Sequence, residues 1–137
     1  MEKTFALIKP LAFQKNLTGS ILQKIAESGF HLRAVKSIHL NRNQAIEFYR
    51  IHQYKPFFVS LIEYITSGPV VTMILEKENA VEELRQLVGH TDPHQALEGT
   101  LRNLFGVDKQ KNSIHASDSI ENAKREMGLC FSKLETA

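Results

Sequence analysis

The chain has 137 residues, of which 42% are hydrophobic and 23% are charged, a composition typical of a globular protein with a real core. Its 17 lysines and arginines barely exceed its 15 aspartates and glutamates, which argues against a protein that coats nucleic acid. No stretch approaches the ~18 apolar residues of a membrane span, and the charged N-terminus is not a signal peptide. We therefore expect one cytoplasmic domain over residues 1–137, with no membrane partner and no specific nucleic-acid partner.

The first third of the chain predicts a strand, a helix and a second strand. Thr4–Ile8 is a short β-prone run that ends at Pro10, which cannot donate to a sheet ladder. Apolar residues at helical spacing predict a helix over Thr18–Ser28, with Gly29 as its C-terminal stop. Phe30–Leu40 then alternates between apolar and polar residues, as in a half-buried strand.

The middle of the chain continues this alternation. Asn41 is a suitable N-cap for a helix that runs through Tyr49. A short amphipathic stretch covers Phe57–Ile65. Val70–Leu75 is the clearest strand of the sequence, and Ala80–Val88 is the next helix.

The last third begins with a long polar segment. Gly89–Asn112 is irregular apart from a short helix expected near Thr100–Phe105, and a loop this long in a compact domain tends to be functional. A short strand and a final helix over Asp118–Phe131 follow, with Asp118 and Glu121 as a variant of the capping box. The whole order predicts one sheet covered by helices, but the pattern alone leaves open whether the sheet is parallel or antiparallel.

The strongest chemical signal lies in residues 112–119. His115 stands just before a helix N-terminus, among hydroxyl and amide side chains, and such a helix end attracts a phosphate. A neutral imidazole can attack through one nitrogen while a carboxylate holds the other, and Glu126 is a candidate for that carboxylate. On spacing alone, a histidine in this position is more often a capping or surface residue, and Glu126 is one more solvated charge.

Residues 112–119 resemble the active-site signature of nucleoside diphosphate kinases, Asn-x-x-His-(Gly or Ala)-Ser-Asp followed by a small residue. The resemblance continues through nearly the whole chain, in order. It includes Phe5–Pro10, Phe48–His52, Pro56–Phe58, Ser67–Val71, Arg85, Gly89–Pro93 and Gly99–Arg102. It implies a ferredoxin-like βαββαβ sandwich of the α/β (α+β) class, in which helices cover a four-stranded antiparallel sheet.

The resemblance also implies an activity: a ping-pong transfer in which a nucleoside triphosphate phosphorylates His115 and a nucleoside diphosphate then accepts the phosphoryl group. The implied catalytic residues are His115, Glu126, Tyr49 and Lys9. The implied nucleotide site consists of Lys9, His52, Phe57, Arg85, Thr91, Arg102 and Asn112, supported by Ser117 and Asp118.

Within that site each residue has an implied partner on the nucleotide. Phe57 stacks on the base, Lys9 and Asn112 bond the ribose, Arg85 and Thr91 hold the β-phosphate near His52, and Arg102 faces the γ-phosphate. Mg²⁺ arrives on the phosphates with no direct protein ligand, and Asp118 touches it at most through water. The family forms homo-oligomers, and the short C-terminus favours a tetramer over a hexamer.

Besides Asn103 and Leu104, which follow Arg102 where some members carry a small residue and an Asp, four residues depart from the family pattern. Leu11 follows the Lys-Pro pair where an Asp or Asn is usual, and Ala116 replaces the commoner glycine. Lys109 and Gln110 stand where many members have an apolar residue and a glycine beside the base. None of the four removes a residue with a chemical role.

Two other functions stay open on the residues alone. A ferredoxin-like module could hold nucleotides without turning them over, but the joint presence of His115, Glu126, Arg102 and Lys9 argues against it. A nucleic-acid-binding protein is disfavoured by the weak net charge.

Overall fold

The fold is described from a computed structural model that covers residues 1–136; Ala137, the last residue of the predicted domain, lies outside the described residues. Four strands form one sheet in the order β2-β3-β1-β4. All neighbouring strands are antiparallel. The strands are β1 (Glu2–Ile8), β2 (His31–Ile38), β3 (Val70–Lys77) and β4 (Ile114–Ala116). This sheet confirms the predicted α+β class.

Seven helices cover the sheet in the described part of the chain. They are α1 (Pro10–Gln14), α2 (Thr18–Glu27), α3 (Arg42–Phe48), α4 (Phe58–Ile65), α5 (Ala80–Val88), α6 (Leu101–Phe105) and α7 (Ile120–Cys130), with a 3₁₀ turn at Arg50–His52. None of the helices within residues 1–136 is long and apolar enough to cross a membrane.

The sheet has a hydrophobic core on each face. Ala6 and Ile8 of β1 face a core that includes α2 and α5, whereas Phe5 and Leu7 face a core built with α3, α4 and α7. Neighbouring residues of β1 serve opposite cores because successive side chains of a strand alternate between its faces. The central strands are therefore buried over most of their length, β1 from residue 4 to residue 8 and β3 from residue 70 to residue 76.

The structure differs from the sequence prediction at three places. The helix α1 was not expected; Pro10, which ends the strand, also begins this helix at its first position, where no N–H is needed. The capping prediction at Asp118 was wrong, because Ser119 is the N-cap and its hydroxyl accepts from the backbone N–H of Asn122 at 3.1 Å. In β2, a register shift leaves Leu32 42% exposed instead of half-buried.

The sheet also brings the two chemically important segments together. β4 pairs with β1 so that His115 lies opposite Leu7. Lys9 follows directly after β1, and its backbone N–H donates to the Ser113 oxygen at 2.9 Å. The end of β1 and the beginning of β4 therefore place Lys9 beside the histidine segment.

Candidate active site

His115 is held through one ring nitrogen. Its Nε2 lies 2.9 Å from Oε1 of Glu126 on α7, and the Ser117 hydroxyl donates to the same oxygen at 2.5 Å. Glu126 is only 3% exposed. A carboxylate at this distance favours the tautomer with the proton on Nε2, which leaves the lone pair on Nδ1. Nδ1 has no hydrogen-bond partner within residues 1–136.

Aromatic rings fix the plane of the His115 imidazole. The Phe48 ring centroid lies 5.1 Å away at an edge-on angle, the Tyr49 ring 6.2 Å away and the Phe5 ring 6.4 Å away. Burial, with a further contribution from Glu126, raises the pKa of Tyr49 above its ordinary value, so the phenol stays protonated at neutral pH. Tyr49 can therefore donate a hydrogen bond near the histidine.

A cleft of about 460 Å³ opens beside His115. We call the part that includes His115, Tyr49, Lys9 and Arg102 the histidine end. The part that includes Phe57, Leu61, Lys109 and Gln110 is the nucleoside end. The remaining lining residues are His52, Thr91 and Asn112. The structure thus brings together eight of the sequence-predicted residues: Lys9, Tyr49, His52, Phe57, Thr91, Arg102, Asn112 and His115.

Two basic side chains lie at the histidine end, the buried Lys9 and the partly buried Arg102. Burial, with a smaller effect from Arg102, lowers the pKa of Lys9 to about 7, against an opposing effect of Asp108. Burial, followed by repulsion from Arg85, lowers the pKa of Arg102 to about 10. Lys9 Nζ donates only to the Gln110 backbone oxygen, at 3.1 Å, among the described residues. An anion in the cleft would favour the charged form of both groups.

Backbone carbonyls orient the Arg102 guanidinium. Nη1 donates to the Gly89 oxygen at 3.1 Å and Nη2 to the Ile114 oxygen at 3.0 Å. Gly89 is required here, because its φ of 89° is left-handed and an added Cβ would lie 2.6 Å from Oγ1 of Thr100. The carbonyls therefore fix the arginine before any ligand arrives.

Arg85 lies in an adjoining pocket of about 240 Å³ and not in the cleft itself. Thr91 and Arg102 line both cavities, so the two spaces are contiguous. Ser117 lines neither and acts on Glu126 instead. Asp118 is exposed and accepts from Nδ2 of Asn122 at 2.6 Å, which lowers the pKa of its carboxyl.

Several buried polar atoms of the cleft have no hydrogen-bond partner within residues 1–136. They are Oη of Tyr49, Nδ1 of His52, Nε of Arg102 and Oδ1 of Asn112. Buried polar atoms are normally hydrogen-bonded, so four orphans around one cavity indicate that a polar ligand belongs there. Both donors and acceptors are among them, which suits a ligand with hydroxyl and phosphate oxygens.

The backbone at Ser113 explains how Asn112 and His115 reach the same cleft. They are three positions apart, and in a regular strand an odd separation places side chains on opposite faces. Asn112 precedes β4, and Ser113 between them has a left-handed φ of 80°, which interrupts the strand alternation. Asn112 also donates from Nδ2 to the Thr91 and Lys109 backbone oxygens, at 3.0 and 2.9 Å.

Sequence reasoning did not single out Leu61 and His90 as lining residues. Leu61 follows Phe57 by four residues, so a helical pattern through α4 could have placed both on one face. His90 gave no such signal, because its place beside Arg85 and Thr91 depends on the fold of the long loop.

Comparison with known proteins identifies the family to which the chain belongs. The family model described as nucleoside diphosphate kinase matches residues 2–136. The chain belongs to the nucleoside diphosphate kinase family. Its activity is the transfer of the γ-phosphoryl group of a nucleoside triphosphate to a nucleoside diphosphate, by the ping-pong phosphohistidine mechanism general to these kinases.

Relatives of this kinase are similar along their full length. The nucleoside diphosphate kinase of Prosthecochloris aestuarii is 49% identical over 135 residues, which are 98% of this chain and 96% of that protein. The solved structure of the Aquifex aeolicus nucleoside diphosphate kinase superposes with a TM-score of 0.97 at 41% identity, covering 99% of both chains. The Halobacterium salinarum enzyme, solved in complex with CDP, superposes with a TM-score of 0.95 at 37% identity, covering 99% of this chain and 91% of that one.

Proposed function

We propose that His115 is the residue of this kinase that carries the phosphoryl group and that Glu126 fixes its tautomer. The observation that supports this is the asymmetry of the ring: Nε2 is bonded to a buried carboxylate, whereas Nδ1 has no partner within residues 1–136 and the ring lines the cleft. Nδ1 attacks the γ-phosphorus, the bond to the β-phosphate oxygen breaks, and the nucleoside diphosphate leaves. A second nucleoside diphosphate then takes the phosphoryl group by the reverse of these steps.

The cations of the histidine end neutralise the charge of the transition state. Arg102 faces the γ-phosphate with its guanidinium already oriented by two carbonyls. Lys9, freed from the Gln110 oxygen, reaches the same group, and the Tyr49 hydroxyl donates nearby. Phosphoryl transfer needs little acid–base chemistry, so positioning and electrostatic stabilisation supply most of the rate.

The rest of the cleft holds the nucleotide. Phe57 stacks on the base, and Lys9 and Asn112 bond the ribose hydroxyls. The β-phosphate lies against Arg85 and Thr91, near His52. This assignment is supported by the unpartnered Nδ1 of His52 and Oδ1 of Asn112, and by the contiguity of the two cavities.

Mg²⁺ is the proposed cofactor, carried by the phosphate oxygens. No cluster of three or more His, Cys, Asp or Glu side chains suited to a metal occurs within residues 1–136. The cavity offers cationic and amide donors, so its chemistry fits a metal that arrives with the nucleotide better than one caged by protein. When bound, the ion would supply further charge neutralisation, and Asp118 would touch it at most through water.

Assembly and compartment complete the proposal. We place residues 1–137 in one domain of a homo-oligomer, a tetramer rather than a hexamer, and the exposed Leu32 and Val35 on the edge strand β2 support self-association. Light scattering on the purified protein distinguishes the molar mass of a tetramer from that of a hexamer.

Cytoplasmic location suits the free Cys130, because that compartment keeps thiols reduced. Cell fractionation tests it.

The decisive experiment is to trap the intermediate. Incubation with γ-labelled ATP should label the protein on His115, the label should be lost in acid, and ADP should remove it. A module that only binds nucleotides would bind ATP without becoming labelled. An acid-stable label, or one that maps to another residue, would contradict the assignment of His115.

A further inference from the structure

Gln110 joins the two walls of the cleft. Its side-chain Nε2 donates to Oγ of Ser60 on α4 at 2.8 Å, between residues 50 positions apart in the chain. Its backbone oxygen accepts from Nζ of Lys9 at 3.1 Å. Gln110 therefore contacts both α4, whose N-cap is Phe57, and Lys9, which follows β1.

Short-range hydrogen bonds hold the loop around Gln110. Oδ1 of Asp108 accepts from the backbone N–H of Gln110 at 3.0 Å and of Lys111 at 2.7 Å. The Val107 N–H donates to the Lys111 oxygen at 2.7 Å. Because this turn is closed on itself, its backbone is already ordered, and the bond to Ser60 is opposed mainly by the rotamer entropy of the Gln110 side chain and by competition with water.

The bridge lies where the nucleoside is expected. Gln110 lines the same cleft as Phe57, Leu61 and Asn112. In the function proposed above, the base stacks on Phe57 while the ribose reaches Lys9 and Asn112. The nucleoside then lies between α4 and the 107–111 loop, which are the two elements that the bridge connects.

We infer that the hydrogen bond from Gln110 to Ser60 forms a wall of the nucleoside slot, and that Gln110 is a positioning residue for the nucleoside of every substrate. The inference rests on the proposed function and adds a residue to it. The bridge does not touch His115, so it acts on nucleotide binding and not on the reactivity of the histidine.

Removing either end of the bridge tests this inference. Gln110→Ala and Ser60→Ala should each lower kcat/KM for ATP by roughly twofold to tenfold, the range of one net hydrogen bond, mainly through a higher KM. The double variant should lose no more than one single variant, because the bond is already absent after the first change. Ser60→Thr keeps a hydroxyl and should behave like the parent protein.

A phosphoryl donor without a nucleoside separates positioning from a structural role. Phosphoramidate carries no base or sugar, so its rate of phosphorylating His115 reports on the histidine end alone, and we expect no change in either variant. Gln86→Ala is the matched control, since it removes a comparable bond to Glu82 on the exposed face of α5. Equal slowing with phosphoramidate and ATP, or additive losses in the double variant, would overturn the inference. A parent protein with no phosphohistidine at all would refute the proposed function instead.

Discussion

The histidine end and the nucleoside end of the cleft are built differently. At the histidine end, three aromatic rings surround His115, and the buried Glu126 accepts one hydrogen bond from His115 and one from Ser117. At the nucleoside end, Phe57 is 47% exposed, and the bond from Gln110 to Ser60 joins the walls. In the proposed function, the protein fixes geometry where the covalent bond would form and leaves the nucleoside to contacts that any base can make.

Replacing the nucleophile should give the largest effect. His115→Gln removes Nδ1 and should reduce phosphotransfer to trace levels, a loss on the order of 10⁴-fold or more. The fold and ADP binding should stay nearly intact, because the other residues of the cleft are unchanged. A coupled assay with ATP and dTDP measures the loss, and an ADP titration measures binding. The control is His94→Gln, which changes an exposed histidine outside the cleft and should retain full activity. Substantial turnover by His115→Gln would contradict the special role of the histidine end.

The next effect concerns the protonation of Lys9. In the free enzyme burial lowers its pKa to about 7, so the amine is largely neutral above that pH. A bound phosphate favours the ammonium, and binding therefore takes up a proton. The affinity for ADP should fall roughly tenfold per pH unit above neutrality and level off below it. Calorimetry at pH 8 in two buffers of different ionisation enthalpy counts the proton, and Lys9→Met should abolish its uptake.

The same pKa shift acts on the stability of the ligand-free protein. Between about pH 7, the pKa of Lys9 in the folded protein, and pH 10.5, the ordinary pKa of a lysine, the unfolded chain binds the Lys9 proton and the folded protein does not. More protons are then bound in the unfolded state, so the free energy of unfolding should rise with pH through this window. Denaturant titrations at pH 7 and pH 9 test the sign. If the free energy of unfolding of Lys9→Met rises with pH as steeply as that of the parent protein, Lys9 is not the group that causes the rise.

A smaller effect is expected at the nucleoside end. Phe57→Ala should weaken the binding of every nucleotide by a similar amount, on the order of 1–3 kcal/mol of lost stacking. Dissociation constants for ADP, GDP and CDP measure it. Tyr54→Ala, which removes a 93% exposed aromatic ring outside the cleft, is the matched control and should change nothing. A loss confined to one base would mean that Phe57 reads the base rather than supporting it.

The smallest differences are expected among the bases themselves. Only Lys109 and Gln110 offer polar side chains at the nucleoside end, and stacking alone should keep the bases within roughly 1–2 kcal/mol, about one order of magnitude in kcat/KM. Guanine is a modest exception, because its O6 can accept from Lys109. A panel of ADP, GDP, CDP, UDP and dTDP measures this range. A thousandfold preference for one acceptor would contradict it and make Lys109 the first residue to mutate.

The fold could be predicted where one physical cause dominates. β3 is buried almost throughout, so its apolar run is unmistakable. Asn41 is the predicted N-cap of α3, and it also makes a capping box with Gln44. The helix α1 could not be predicted in this way, because five residues are too few to show a helical period. The exposure of Leu32 follows from a bulge, which residue alternation does not encode.

The site could be predicted from the sequence only through the family resemblance. Glu126 follows His115 by 11 residues, a spacing that by itself indicates no contact, and the strand-to-helix turn brings them to 2.9 Å. The two carbonyls that orient Arg102 come from distant segments, Gly89 and Ile114, so no local pattern could reveal them. The bridge from Gln110 to Ser60 is likewise a tertiary contact.

The left-handed backbone at Ser113 has a consequence for how this sequence can vary. A serine held at a φ of 80° stores strain on the order of 1–3 kcal/mol. In the proposed function Asn112 binds the ribose and His115 is the nucleophile, and this left-handed residue interrupts the strand alternation between them. Glycine at position 113 would release the strain but loosen the backbone there, whereas a β-branched residue would resist the left-handed conformation. Position 113 therefore sets a local exchange between conformational stability and the relative orientation of two residues of the cleft.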